Sequence, residues 1–136
     1  MSSMFNSIDV SASGMNVYRT WIDAIADNVA NVNTIKSTDE SAFQQRMVVA
    51  QEVTSGDGGL GSGARVAGIE LGSAKGRLVY DPSNPLADND GMVRAPDMDL
   101  SDQMSHLIVA QRSYQVNASV FERARDSYQR ALEIGQ

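Results

Sequence analysis

The chain has 136 residues, 42% of them hydrophobic and 6% aromatic, and a net charge of −6. That length supports one modest core rather than two independent ones. The absence of cysteine excludes a disulfide framework, thiolate metal sites and cysteine nucleophiles, and no segment is basic, which argues against nucleic-acid binding through phosphate neutralisation.

The first cation is Arg19, behind a mixed polar and apolar run, so the start carries neither a charged n-region nor a continuous h-region. No stretch reaches the roughly 18 apolar residues of a membrane span, so the expectation is no cleaved signal and no direct membrane insertion. From Met4 to Val32, Ile8, Met15, Tyr18, Ile22, Ile25 and Val29 recur at spacings of three and four, with Ser11 the polar member of the row. This predicts an N-terminal helix. Gly14 either admits another backbone closely or is a weak point costing about 1 kcal/mol relative to alanine. Asn28, Asn31 and Asn33 crowd the end of the row, and Thr34 and Ile35 disfavour continuation, so the helix should stop near Asn33. The Asn28 and Asn31 side chains, three residues apart on one face, either cap the helix or hydrogen-bond a neighbouring chain.

Residues 35–42 read as a polar connector, and Phe43 to Val53 as a strand rich in β-branched residues. Gly56 to Gly63, with five glycines in eight residues, reads as a flexible loop. Alternation through Val66–Leu71 and the run Leu78–Tyr80 predict two more short strands, giving a small antiparallel sheet or ribbon. From Asp81 to Pro96, three prolines together with Asp81, Asp88, Asp90 and Gly91 predict loop throughout.

The longest uninterrupted period runs from Asp99 to Ile134. Leu100, Met104, Leu107, Tyr114, Ala118, Phe121, Tyr128 and Leu132 form a heptad-like ladder with Gln111 and Arg125 in the same seam. Asp99 should cap this helix, and Asp102 adds favourable charge to its first turn. A second row of small residues, Ala110, Asn117, Ala124 and Ala131, repeats every seven residues and suits a second neighbour on another face. The expected fold is mainly α with a small β part. Long N- and C-terminal helices pair as an antiparallel coiled coil, with short β-strands or a ribbon and loops between them. Residues 1–34 and 99–136 then form one terminal-helix domain around a central segment, 35–98.

Chemistry that is nearly present fails on context. Gly56, Gly58 and Gly61 satisfy G-x-G-x-x-G, but they lead into a β-like segment rather than opening a helix. Aligning Gly91 with the invariant glycine of a calcium loop places Asp88 and Asp90 correctly, yet puts Leu86 at the first ligand position and Asp97 where a bidentate Glu belongs. The single histidine, His106, lies inside the C-terminal helix, and no nucleophile elbow or metal-spaced pair accompanies it. The residues therefore point to a non-enzymatic protein acting through helix packing, with no catalytic, cofactor or metal residues.

Two ends of the chain and its acidic loop together carry a resemblance. They are Ser13-Gly14-Met15 with Ile25-Ala26-Asp27-Asn28-Val29-Ala30-Asn31-Val32-Asn33-Thr34; Val79-Tyr80-Asp81-Pro82 with Pro85, Ala87-Asp88, Gly91, Val93, Pro96 and Asp99; and Met104, Ala110, Arg112-Ser113-Tyr114-Gln115, Asn117, Val120, Ala131-Leu132 and Ile134-Gly135. In order and spacing this resembles the flagellar basal-body rod proteins of the axial rod and hook family, over nearly the whole chain. Asp27, Trp21, His106 and the glycine-rich loop depart from the pattern. The resemblance implies a structural subunit of the rod, or drive shaft, exported through the flagellar type III apparatus without a cleaved signal and located in the basal body within the cell envelope. It implies assembly with other rod proteins and copies of itself, the terminal helices inward. The rival is a soluble or secreted coiled-coil adaptor. The expected subunit-interface residues are Ile8, Met15, Ile22, Ile25, Asn28, Val29 and Asn31 of the first helix, and Met104, Leu107, Tyr114, Asn117, Phe121, Tyr128 and Leu132 of the last.

Overall fold

A computed structural model describes residues 2–54 and 61–135. Helix α1 spans Ser2–Asn31 and helix α2 spans Leu100–Ile134, with strands β1 (Arg46–Thr54), β2 (Gly61–Leu71), β3 (Arg77–Tyr80) and β4 (Met92–Ala95) between them. The strands form two separate two-stranded sheets, β1 with β2 and β3 with β4, where the sequence predicted one. The helix ends follow local chemistry. Asp99 Oδ1 accepts the Ser101 and Asp102 amides at 2.6 and 3.3 Å, capping α2 as expected. Asn31 closes α1, its carbonyl accepting from the Thr34 amide at 3.0 Å and its Oδ1 from Thr34 Oγ1 at 3.1 Å.

Three expectations for the central segment are corrected. β1 starts at Arg46 rather than Phe43, because Gln44 and Gln45 are occupied with Gly72: Gln44 Nε2 donates to the Gly72 carbonyl at 2.7 Å, and the Gly72 amide to the Gln45 carbonyl at 2.8 Å. Residues 56–60 of the predicted glycine loop lie outside the described residues, but Gly61–Gly63 already belong to β2. The Ser13 hydroxyl reaches this point, accepting the Ala64 amide at 3.1 Å while donating to the Val10 carbonyl. The stretch 81–96 is not loop throughout, since β4 lies within it. β4 pairs antiparallel with β3 from Arg77↔Ala95 to Tyr80↔Met92, and Lys36 bridges to Arg94 on its other edge. Pro96 sits just past the strand, where its missing N–H costs no ladder bond.

The chain divides into two compact units, one comprising Met1–Ile22, Val48–Gly68 and Ile108–Gln136, the other Asp23–Met47 and Ile69–Leu107. Each draws on both helices and on the central segment. In the first, Ser11, Val17 and Ala110 are buried, and the Phe5 and Tyr128 rings meet at 4.9 Å between centroids. Gly14 admits a close approach here, since a Cβ on it would lie 2.8 Å from Asn117 Oδ1. In the second, Ala24, Ile25, Ala42, Val93, Ala95 and Met98 form the apolar core. Arg94 laces it from the rim, donating to the carbonyls of Thr38 (2.7 Å) and Lys75. Gly76 has φ +57°, and a Cβ there would fall 2.1 Å from the Ala95 carbonyl oxygen.

These contrasts set a stability test. Gly76→Ala combines left-handed strain with a backbone clash and should cost more than about 2 kcal/mol. Gly68→Ala, with nothing within 4 Å of the added Cβ, should change stability by less than about 1 kcal/mol. Urea melts of the two variants check the difference.

Candidate interaction site

The helices meet through small and polar side chains. In the second unit, Asn28 and Gln103 are each 1% exposed, and Asn28 uses its whole amide. Its Oδ1 accepts the Arg46 backbone amide at 2.8 Å, and its Nδ2 donates to the Arg46 carbonyl at 3.0 Å and to Gln103 Oε1 at 2.9 Å. A buried primary amide with unmet donors or acceptor would be costly, and this one is satisfied inside its own chain. Within the chain, Asn28 ties α1 to Arg46 and Gln103 rather than capping the helix. Asn31 is local, its Nδ2 donating to the Asp27 carbonyl at 2.9 Å. An exposed ion pair between Asp27 and Arg46 lies alongside and adds little on its own.

On α2 the buried row is Gln103, Ala110 (0% exposed), then half-buried Asn117 and Ala124, alternating with half-buried Leu107, Tyr114, Phe121 and Tyr128. The phase predicted from apolar content is thus corrected on one side. Leu107, Tyr114, Phe121 and Tyr128 do face inward, but their companions are the small row, not Leu100, Met104, Gln111, Arg125 and Leu132. Leu100, Met104 and Leu132 are 45, 45 and 46% exposed, and Gln111 and Arg125 are also exposed. The reason is geometric. Both rows keep three–four spacing with the Leu107 row, and the smaller one lets two backbones approach, as Gly14 does opposite Asn117.

On α1, Ile25 and Asn28 are covered within the chain, while Ile8, Met15, Ile22, Val29 and Asn31 are half-buried. In the first unit Met15 and Ala12 border a shallow cleft with Tyr114 and Phe121. An apolar cavity of ≈ 320 Å³ lies between Val17, Tyr18 and Trp21 of α1 and Val48, Ala50 and Ala64 of the strands. Sequence reasoning did not signal it, because it needs β1 and β2 in register. A further feature, also missed, is a stripe on α2 outside the buried row: Val109, Val116 and Val120 are 51, 62 and 45% exposed, flanked by Arg112 and Arg123. Seven- and four-residue steps place these valines on one face. Arg125 and Asp126 form an exposed ion pair on α2 at 3.3 Å.

The acidic turn is built around Asp88, whose carboxylate accepts the Met92 amide (2.9 Å), the Asp90 amide (3.0 Å) and Thr38 Oγ1 (3.1 Å). These bonds, Met92 foremost, hold its carboxyl below the ordinary value of 3.8. A carboxylate so engaged serves as the keystone of a turn.

The comparisons with known proteins agree with this architecture. Residues 89–134, which span β4 and α2, match the family described as flagellar basal body rod FlgEFG protein C-terminal. The class is therefore that of the basal-body rod proteins. The flagellar basal-body rod protein FlgC of Yersinia enterocolitica is 34% identical over 134 residues, covering 98% of this chain and 99% of its own. Those of Borreliella burgdorferi and Bacillus subtilis are 33% and 30% identical, covering 98% and 97% of this chain and 98% of each of theirs. The chain belongs to the FlgC family of flagellar basal-body rod proteins.

Because the folded-state pKa of Asp88 is lowered, its stabilisation is present above the ordinary carboxylate value and is lost as pH falls through the folded one. Acidification below about 3.8 should loosen the 88–92 turn. Asp88→Asn keeps the Oδ1 acceptor and should make that region insensitive to acid, read from Met92 amide exchange across pH.

Proposed function

We propose that this chain serves as a structural subunit of the flagellar basal-body rod and works by helix packing, without catalysis. The carrying observation is that α2 has two distinct faces: a small-residue face packed within the chain, and a valine stripe left exposed at Val109, Val116 and Val120. An exposed apolar stripe on a long helix favours a protein partner. Full-length similarity to rod proteins disfavours the adaptor alternative.

The partners are other flagellar rod proteins and further copies of this chain, with delivery by the flagellar type III apparatus. The site is the basal body, in the cell envelope. No helix among the described residues is long and apolar enough to cross a membrane, which fits a subunit held by protein contacts. The terminal stretches 1–34 and 99–136 act as one antiparallel helical module around the central segment 35–98. Within the first unit the contacts support that sense, since rising positions on α1 (Phe5, Gly14) meet falling ones on α2 (Tyr128, Asn117). Of the residues expected at subunit interfaces, Met104 and Leu132 retain the most free surface and join the valine stripe as neighbour-facing positions. Ile8, Met15, Ile22, Val29, Leu107, Tyr114, Phe121 and Tyr128 contribute through their uncovered edges.

Val116→Asp separates assembly from folding. Val116 is 62% exposed, so the substitution should alter the isolated chain's stability by no more than about 0.5 kcal/mol. Burying an aspartate where a valine packs against a neighbour should lower rod incorporation at least about tenfold, since burial of the valine alone is worth roughly 1.5–3 kcal/mol. Swimming assays and quantified incorporation check this, and unchanged assembly would remove the valine stripe from the interface.

A further inference from the structure

Helical asparagines in this chain have a local option, and two of them take it. Asn31 Nδ2 donates to the Asp27 carbonyl and Asn117 Nδ2 to the Ser113 carbonyl, each four residues back and each at 2.9 Å. Such back-bonding satisfies the side chain without help from the rest of the fold. Asn28 does otherwise. It turns outward and grips both backbone groups of Arg46, the first residue of β1, and its remaining N–H goes to Gln103 in the first turn of α2. With both side chains 1% exposed, water is no substitute acceptor for that N–H.

We propose that Gln103 is a positioning residue, which holds the Asn28 amide in its outward conformation and so couples the seating of α2 to the start of β1. Without an acceptor at Gln103 Oε1, the outward conformation leaves one buried N–H unmet, and that cost falls on the conformation that grips Arg46. The grip on Arg46 is weakened by that cost. The Asn28 tie between α1 and the start of β1 therefore depends on α2 being seated. This goes beyond the assignment of a rod subunit and concerns how its parts hold one another in place.

The test is amide exchange in the full-length chain, read at Arg46 and, as a reference in the same unit, at Arg94, whose N–H donates to the Lys36 carbonyl at 2.9 Å. Gln103→Met keeps the shape but removes the acceptor, and should speed Arg46 exchange at least about tenfold while leaving Arg94 within about twofold. Gln103→Glu keeps an acceptor at the same reach and should hold Arg46 near its original rate. Unchanged Arg46 exchange in Gln103→Met, or an equal rise at Arg94, would overturn the proposal. If Gln103→Met does not fold, the unsubstituted chain decides: the Asn28 side-chain protons should exchange at the rate of the Arg46 amide. Free exchange of those protons beside a protected Arg46 amide would count against it.

Discussion

A small, polar helix interface is the constraint on which the rest of this structure depends. In one unit the buried positions are Ser11 and Ala110 with Val17, and in the other Asn28 and Gln103 beside Ala24 and Ile25. Small side chains let backbones come close, and polar ones must then find partners, because a buried unmet donor costs about as much as a well-packed methyl group or two contributes. Each polar group meets that demand in its own way. Ser11 Oγ returns to the Ser7 carbonyl at 2.8 Å, and Asn28 is shared between a strand and a helix. Such an interface fixes alignment strongly while contributing modest apolar burial.

How far the sequence revealed this depends on the type of signal. Helix ends were legible because capping is local: Asp99 and the asparagine cluster act on amides within three residues. The inward row Leu107, Tyr114, Phe121 and Tyr128 was legible from periodicity. Its companion row was not, since Met104 fits the same spacing as Gln103, and hydrophobicity favours the former. Only tertiary geometry, with Gly14 opposite Asn117, selects between them. β4 was hidden for a related reason. Four residues amid prolines and aspartates carry no recognisable alternation, and their strand character comes from pairing with β3 and Lys36. Asn28 drew notice as a side chain able to bond across chains, yet Gln103 gave no signal at all: it was one polar residue on a polar-faced helix turn.

The acidic turn shows how composition misleads about chemistry. Asp88 and Asp90 sit at calcium-loop positions relative to Gly91, but the Asp88 oxygens are spent on Met92, Asp90 and Thr38. The turn joins β3 to β4 and helps hold the connector near Thr38. Arg94 reinforces the same place from the strand side through the Thr38 and Lys75 carbonyls. A stretch that reads as a ligand site thereby works as a clasp on the central segment.

Under the proposed function, the two faces of α2 divide the work of a packing subunit. The inner face carries Gln103, Ala110 and Asn117, whose partners inside the chain leave little freedom to slide. The outer stripe carries valines, which tolerate many neighbours and gain about 0.8 kcal/mol for each CH₂ they bury. Polar matching sets the subunit's own conformation, and in the proposed assembly apolar burial along the stripe supplies the attraction between subunits. Exchanging the roles would fail on both counts, since valines inside would hold the helices apart and buried amides outside would demand an exact partner at every contact.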